Sequence, residues 1–462
     1  MVYSNDSKKK KGSKTLILKS VVPEVCLRAR FVLQFGMFSG ILLGPALAQN
    51  PGCTTGQAWT IQSNAQTDPT GKYNVDYPET NAFDWITVLP GNLASAVSIY
   101  GQFPLSRYMS LELYSSGGTV VAGINGSSIV PGPGQSNPFV SGTAQGTYTV
   151  FINGGAPPRV PAPNTLYTSG QTGLELVYRI YYPTVAGKVT GSTTDPVLPT
   201  LSIGGAALST CPPEQIISPV TSTAWGRLDQ TNFVGVPPPQ PLPASVTLQL
   251  ASLPVTNPPT YITISTNTNT PFFPSDDNSY LITMLSREYL NSPYTNNLAV
   301  IRFQPPTFPN TQAGAPASAP GQVRYWSVCT DDVISTAVIR CAADNQSTNV
   351  NGFVTYVISD PGQKPSSSTL SQWGATWIAW GALESTDALY NQFGQTVTNA
   401  NGVLWYNPVI YRQTESETNW LQSIRNVSSL PASMQPVAMG AYWPTVGYCT
   451  SSAFEALGAG CL

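Results

Sequence analysis

The chain has 462 residues, of which 42 are Pro, 39 are Gly and none is His. Only 10% are charged while 41% are hydrophobic, so the chain can fill cores and is not of the disordered class. The lack of His excludes a Ser-His-Asp triad, a His-bearing zinc site and a His metal site of the cupin kind.

In chain order, the first segment reads as a leader, residues 1–48. Lys8 to Lys11, Lys14, Lys19, Arg28 and Arg30 make it basic. An apolar run from Phe31 to Leu43 follows, and Ala46-Leu47-Ala48 has the small-x-small pattern of a signal-peptidase site, which places cleavage before Gln49. Removal takes six Lys, two Arg, Asp6 and Glu24 from the 21 basic and 23 acidic residues. The mature chain then carries 13 basic and 21 acidic residues, a net of −8. No basic stripe remains to release counterions, so nucleic acid is not an expected partner. No later stretch is long and apolar enough to suggest a membrane span.

Cys26 leaves with the leader, and six cysteines remain. An even count in a secreted chain favours three disulfides. The nested local pairing is Cys53–Cys211, Cys329–Cys341 across a hairpin and Cys449–Cys461 in the tail. Asn125, Asn345 and Asn426 each open an N-glycosylation triplet.

Strand signals dominate the mature chain. Short β-branched and aromatic runs bounded by Gly, Pro or Asn lie at Ser98–Tyr100, Tyr108–Tyr114, Thr147–Ile152, Leu174–Tyr182, Ser245–Leu250, Tyr261–Ile264 and Phe353–Ile358. Helical patterns are few: Asp276–Leu290, Thr414–Arg425 and Ala453–Leu457. Two Pro-rich seams, Pro196–Pro243 and Pro305–Pro320, suit linkers or long loops.

A faint internal repeat organises these runs. Val97-Ser98-Ile99-Tyr100 and then Phe103-Pro104 are matched by Val300-Ile301-Arg302-Phe303 and then Phe308-Pro309. Arg107-Tyr108-Met109-Ser110 is matched by Arg324-Tyr325-Trp326-Ser327, and the strand after Gly146 by the strand after Gly352. Leu174–Tyr182 is set against Ala375–Trp380 as the closing aromatic strand. The duplication predicts a mainly β protein of two tandem antiparallel β-sandwich, jelly-roll-like domains with a few short helices. The expected division is leader 1–48, first sandwich 49–215, Pro-rich connection with strands 216–275, and second sandwich with C-terminal helices 276–462.

The run Tyr108–Tyr114, the Gly146 strand, Pro163-Asn164-Thr165-Leu166-Tyr167 and Tyr178-Arg179-Ile180-Tyr181-Tyr182-Pro183 resemble a bacterial envelope family of unknown function. That family is built on jelly-roll-like β domains with an aromatic-Ser strand and an Arg-x-Tyr-x-Pro strand. The mature chain also resembles uncharacterised secreted proteins of actinobacterial type. The resemblance implies the fold and brings no activity with it.

Candidate chemistry is sparse, and no cofactor motif is read. Arg107 and Arg324, each ahead of an aromatic-Ser strand, are candidate anion anchors or strand-orienting groups. Asp331, Asp332 and Asp344 form one oxygen-rich cluster and Asp276-Asp277-Asn278 another, both weak candidates for a hard cation. Glu112, Glu175 and Glu384 are the carboxylates available for two-carboxylate glycoside hydrolysis, unless they point to solvent. Trp373, Trp377 and Trp380 lie within eight residues and offer flat rings for a sugar face. If they lie on one strand, Trp373 and Trp377 share a face. The expected function is a secreted or envelope-associated non-enzymatic binding or structural protein, with an extracellular glycan or another copy of itself as partner. A secreted polysaccharide hydrolase and a filament or surface-layer subunit are the alternatives.

Overall fold

The computed structural model describes residues 57–59, 61–63, 77–91, 93, 96–115, 118–141, 145–183, 198–210, 259, 261–264, 274–286, 297–331, 338–380, 398–399, 402–403 and 406–462. The leader and its cleavage site, the Cys53–Cys211 pair, the strand at Ser245–Leu250, Asp332, Glu384 and most of the first Pro-rich seam lie outside these residues.

The protein is mainly β. Its first strands are β1 (Ile61–Ser63), β2 (Ala82–Val88), β3 (Val97–Gln102), β4 (Ser106–Tyr114) and β5 (Val120–Asn125). Then come β6 (Thr147–Asn153), β7 (Thr165–Tyr167), β8 (Glu175–Pro183), β9 (Thr200–Ile203) and β10 (Ala206–Ala207). They form two sheets in the orders β1-β2-β8-β4-β5 and β10-β9-β3-β6-β7. Trp85, Phe103, Met109, Leu111, Tyr148, Val150 and Ile180 fill the core between them.

The second half runs β11 (Ile262–Ile264), β12 (Asn278–Ser286), β13 (Asn297–Phe303), β14 (Tyr325–Asp331), β15 (Val338–Ala343) and β16 (Asn349–Val350). It continues with β17 (Phe353–Ser359), β18 (Ala375–Ala379), β19 (Thr398–Asn399), β20 (Gly402–Val403), β21 (Tyr406–Thr414) and β22 (Thr445–Thr450). The sheet orders are β11-β12-β21-β14-β15 and β16-β17-β13-β22, with β18 parallel to β17. Phe303, Trp326, Val328, Tyr356, Trp380 and Tyr411 build this second core. The pair β19–β20 stands as a separate two-stranded sheet.

The halves repeat one topology. The register corrects the last pairing expected from sequence: the counterpart of β8 is β21, and β18 corresponds to β7. Both β7 and β18 run parallel to their neighbours, β6 and β17. On β4 and β8, Ser110 sits opposite Arg179, and on β14 and β21, Ser327 sits opposite Arg412.

Two helical expectations are corrected. Asp276–Leu290 contains the strand β12. Its residues Leu281 through Leu285 are all buried, and a strand covered on both faces loses the alternation that separates it from a helix. Thr414 ends β21, and helix begins only at Ile424–Val427, where the Ser423 hydroxyl accepts from the Asn426 N–H at 3.2 Å. The tail helix forms over Ser451–Leu457. Disulfides join Cys329 to Cys341, directly opposite each other on β14 and β15, and Cys449 to Cys461. Among the described residues no helix is long and apolar enough to cross a membrane.

Candidate functional site

Every residue of β4 and of β14 is buried. Antiparallel strands alternate their faces, so one side of each must meet something other than its own core. On β4 the core side carries Met109, Leu111 and Leu113, and the other carries Tyr108, Ser110, Glu112 and Tyr114. On β14 the second side carries Tyr325, Ser327, Cys329 and Asp331. These two polar sides face the junction of the sandwiches, where Tyr108, Tyr181, Tyr325, Ala82 and Ala343 pack as one buried cluster.

Two equivalent loops cross this junction in opposite directions. Before β2, Glu79 reaches the second sandwich. It accepts from the Ser327 hydroxyl and from Arg412 Nη1 at 2.8 Å, while Asn81 Nδ2 donates to the Tyr325 hydroxyl at 3.3 Å. Before β12, Ser275 donates to Glu112 Oε1 at 2.9 Å, and Asp277 Oδ2 accepts from the Tyr108 hydroxyl at 2.9 Å. The ends of β8 and β21 match as well, with Tyr182 and Glu415 both at φ 49°.

Beside this junction lies a polar cleft of about 760 Å³. Glu112 and Asn125 come to it from β4 and β5, Asp276, Asp277, Asn278 and Ser279 from the start of β12, and Arg425, Asn426, Ser428 and Ser429 from the segment beginning at the 424–427 helix. Its wall holds carboxylates, amides, hydroxyls and one guanidinium, and none of these lining residues is aromatic.

Glu112 is the most constrained group in the cleft. Oε1 accepts from Ser275 Oγ at 2.9 Å and the Asp276 N–H at 3.0 Å; Oε2 accepts from the Tyr114 hydroxyl at 2.7 Å and Arg179 Nη1 at 2.8 Å. Burial pushes its carboxyl up, and Arg179, Tyr114 and Ser275 oppose that. Arg179 also holds Asp84 at 2.7 Å. Asp277 accepts from Tyr108 and from Asn125 Nδ2 at 2.9 Å. Asp276 is the exposed carboxylate of the cleft; partial burial and Asp277 push it up, against Arg425. The Asn125 amide nitrogen is thus bound to Asp277, which argues against glycosylation there.

The candidates from sequence separate rather than converge. Arg107 is fully buried, is ion-paired with Asp344, and lies over the rings of Tyr182 at 4.8 Å and Phe308 at 4.9 Å. Arg324 donates to the carbonyls of Ala317 at 2.6 Å and of Phe139 at 3.3 Å. Both arginines tie the two sandwiches together rather than lining the cleft: Arg107, with no exposed surface, is ion-paired through Nη1 with Asp344, and Arg324 directs Nη1 and Nη2 to backbone carbonyls. The Asp331–Asp344 cluster is corrected. Asp344 lies past Ala343, which faces Ser327, and Asp331 faces Val338. Five strand positions separate the two acids, about 16 Å. Cys329 and Cys341 approach Glu79, but their sulfurs are bonded to each other and offer no thiolate to a metal.

The tryptophan platform is also corrected. Trp373 ends a helix, Ser367–Trp373, capped by the Ser366 hydroxyl and closed by Gly374 at φ +58°. Trp377 lies on β18, so the two rings share no strand face. Trp373 donates to the Glu455 carbonyl at 3.2 Å. Trp377 donates to Ser359 Oγ at 2.9 Å, and Lys364 Nζ sits 4.5 Å from its ring centre. Trp380 is 1% exposed and belongs to the second core. A Cβ at Gly374 would fall 2.2 Å from Val350 Cγ2. We expect Gly374→Ala to lose about 2 kcal/mol, from left-handed backbone strain and overpacking, as a lower denaturation midpoint; an unchanged midpoint contradicts this account.

Of the hydrolysis candidates, Glu112 is buried rather than solvent-facing. Glu175 lies diagonally from it on the same face of the sheet, since Glu112 faces Val177 and Tyr114 faces Glu175. Burial pushes Glu175 up to about 7. Sequence reasoning missed Glu79, Arg179 and Arg412 as site-builders. The signal for the two arginines is the Tyr-Arg pair at Tyr178-Arg179 and again at Tyr411-Arg412; Glu79 has none.

No protein-family description matches the chain, and no curated protein matches it. Among solved structures, an uncharacterized protein from Burkholderia cenocepacia is similar at 12% identity over 83% of this chain and 80% of its own, with a TM-score of 0.44. A Vibrio parahaemolyticus protein is similar at 11% identity over 81% of this chain and 90% of its own, with a TM-score of 0.36.

Proposed function

We propose that this is a secreted or envelope-associated, non-enzymatic binding protein whose ligand is an extracellular glycan. The observation that carries the reading is the saturation of Glu112. A general acid or base must offer a free lone pair or proton to its substrate, and all four acceptor positions of this carboxylate hold protein donors. Turning Glu112 toward a ligand would also strip a buried partner from Arg179, which costs several kcal/mol. The two disulfides fit an oxidising compartment, and the basic-apolar leader supports export. The cleft adds hydrogen-bonding edges suited to hydroxyl-rich ligands.

A paired-carboxylate hydrolase is the second reading, favoured by Glu175 at about 7 on the same sheet face as Glu112. Incubation of purified protein with a panel of polysaccharides, reading both retention and release of reducing ends, separates the two. The expected result is retention without release, unchanged in Glu175→Gln. Reducing-end release abolished by Glu175→Gln establishes the hydrolase and removes the binding-only reading.

A further inference from the structure

The outer face of the sheet β9-β3-β6-β7 holds a feature that the cleft does not use. Its inward positions, among them Ile99, Tyr148, Val150 and Leu201, are core. Outward, Tyr100 is 54% exposed, Phe151 is 49% exposed and Tyr167 is half-buried. The register fixes how these rings lie. Tyr100 faces Thr149 on β6, two positions before Phe151. Phe151 faces Thr165 on β7, two positions before Tyr167. Each step moves one strand across and two residues along in the same sense. The rings therefore form a straight diagonal, with about 8 Å between neighbours and about 16 Å in all. The Tyr167 hydroxyl accepts from the Ala162 N–H at 3.1 Å, which anchors that end.

The positions between the rings are hydroxylic: Ser98, Thr149 and Thr165, with Ser202 on β9 opposite Ser98. None of the four strands carries an Asp, Glu, Lys or Arg. The equivalent face of the second sandwich is built differently. There Leu298, Val300 and Val357 are buried beneath Phe454, Leu370 and Trp373 of the covering helices. A face awaiting such a helix would carry aliphatic side chains between its rings, and this one carries hydroxyls.

We infer that the diagonal Tyr100–Phe151–Tyr167 is the binding site for an extended, uncharged polysaccharide chain. The inference rests on the glycan-binding reading above and names its surface and ligand class. Ring faces are electron-rich and attract the polarised C–H groups on the flat side of a sugar. The Ser and Thr hydroxyls meet its equatorial oxygens, and a face without charge imposes no desolvation penalty for ions and offers nothing to an acidic polymer. The aromatics sit on strands, so the row is set before the ligand arrives.

The test is depletion from solution by microcrystalline cellulose, chitin and insoluble β-1,3-glucan, with immobilised polygalacturonate as the acidic comparison. The wild type should be retained by at least one neutral polymer and not by polygalacturonate. Tyr100→Ala, Phe151→Ala and Tyr167→Ala should each weaken retention roughly two- to tenfold, the triple variant should abolish it, and Trp377→Ala should leave it unchanged. Thermal melting of each variant verifies that the fold persists, and Tyr100→Phe, which keeps the ring, should retain binding if a variant proves unstable. Retention by a neutral polymer that survives the triple variant overturns this site but leaves glycan binding standing. Retention by none of them overturns both. A wild-type dimer that Phe151→Ala dissociates shows that a second copy occupies the face, and also overturns the proposal.

Discussion

Glu79→Ala should destabilise the protein by about 3–5 kcal/mol, the cost of leaving a buried charge without its partner. Glu79 is 2% exposed and Arg412 is 3% exposed. The carboxylate accepts from Arg412, Ser327 and the Asn81 backbone and side-chain nitrogens, the last two at 3.1 and 3.2 Å. Its removal leaves Arg412 with the Tyr77 carbonyl at 3.1 Å and the Tyr280 ring at 5.3 Å. Because the pair joins the two sandwiches, the loss should appear in a single cooperative transition rather than in one domain alone. The double variant Glu79→Leu with Arg412→Met removes both charges and should recover most of the stability, as exchanges of whole buried pairs do. Chemical denaturation followed by tryptophan fluorescence reads both quantities. A single variant within about 0.5 kcal/mol of wild type would show that the pair contributes little to the junction.

The architecture is legible in the sequence where short β-branched and aromatic runs are bounded by turn residues. Thr147–Ile152 and Ser98–Tyr100 read as strands on that ground, and both lie in strands of the structure. Strand parity already holds the aromatic row: Phe151 falls with Thr147 and Thr149, and Tyr100 with Ser98, on the outward side. The three Trp at 373–380 are the louder signal in the sequence, but ring size marks core as readily as surface. Legibility fails at β12, whose central residues are buried on both faces. The segment after Asp276 shows no alternation, and a helix was the expectation. The repeat is visible through Arg-Tyr-x-Ser, but the pair that marks β21 as the partner of β8, Tyr411-Arg412, is only two residues long. The function of the polar residues was not legible at all. Glu79 and Ser327 are 248 positions apart in sequence, and only the crossing of the two loops brings them together.

Acidification from pH 7.5 to 5 should stabilise the protein, the reverse of the usual behaviour of carboxylate-rich folds. Two groups set the sign. Glu415, at the junction, accepts from the Ser127 hydroxyl and faces Asp277, Glu417 and, at 4.0 Å, Arg324. Burial is the main cause that pushes it up to about 7. Glu175, at the start of β8, is pushed up to about 7 by burial alone. An ordinary Glu titrates near 4.3 in the unfolded chain, so the folded state binds these protons more tightly than the unfolded state does. The stability they contribute is fully present below about pH 4.5 and is lost as pH rises through about 7, on the order of 3 kcal/mol for each group. Asp344, pushed up to about 6 by burial against the pull of Arg107, acts in the same direction over the lower part of this window. Denaturant midpoints measured at half-unit steps should therefore fall from pH 5 to 7.5. Glu415→Gln and Glu175→Gln, which hold the neutral form at every pH, should each flatten the slope and raise stability at pH 7.5. A midpoint that instead rises with pH, or a slope untouched by both substitutions, would show that these carboxyls are ionised in the folded protein and that the junction tolerates their charge.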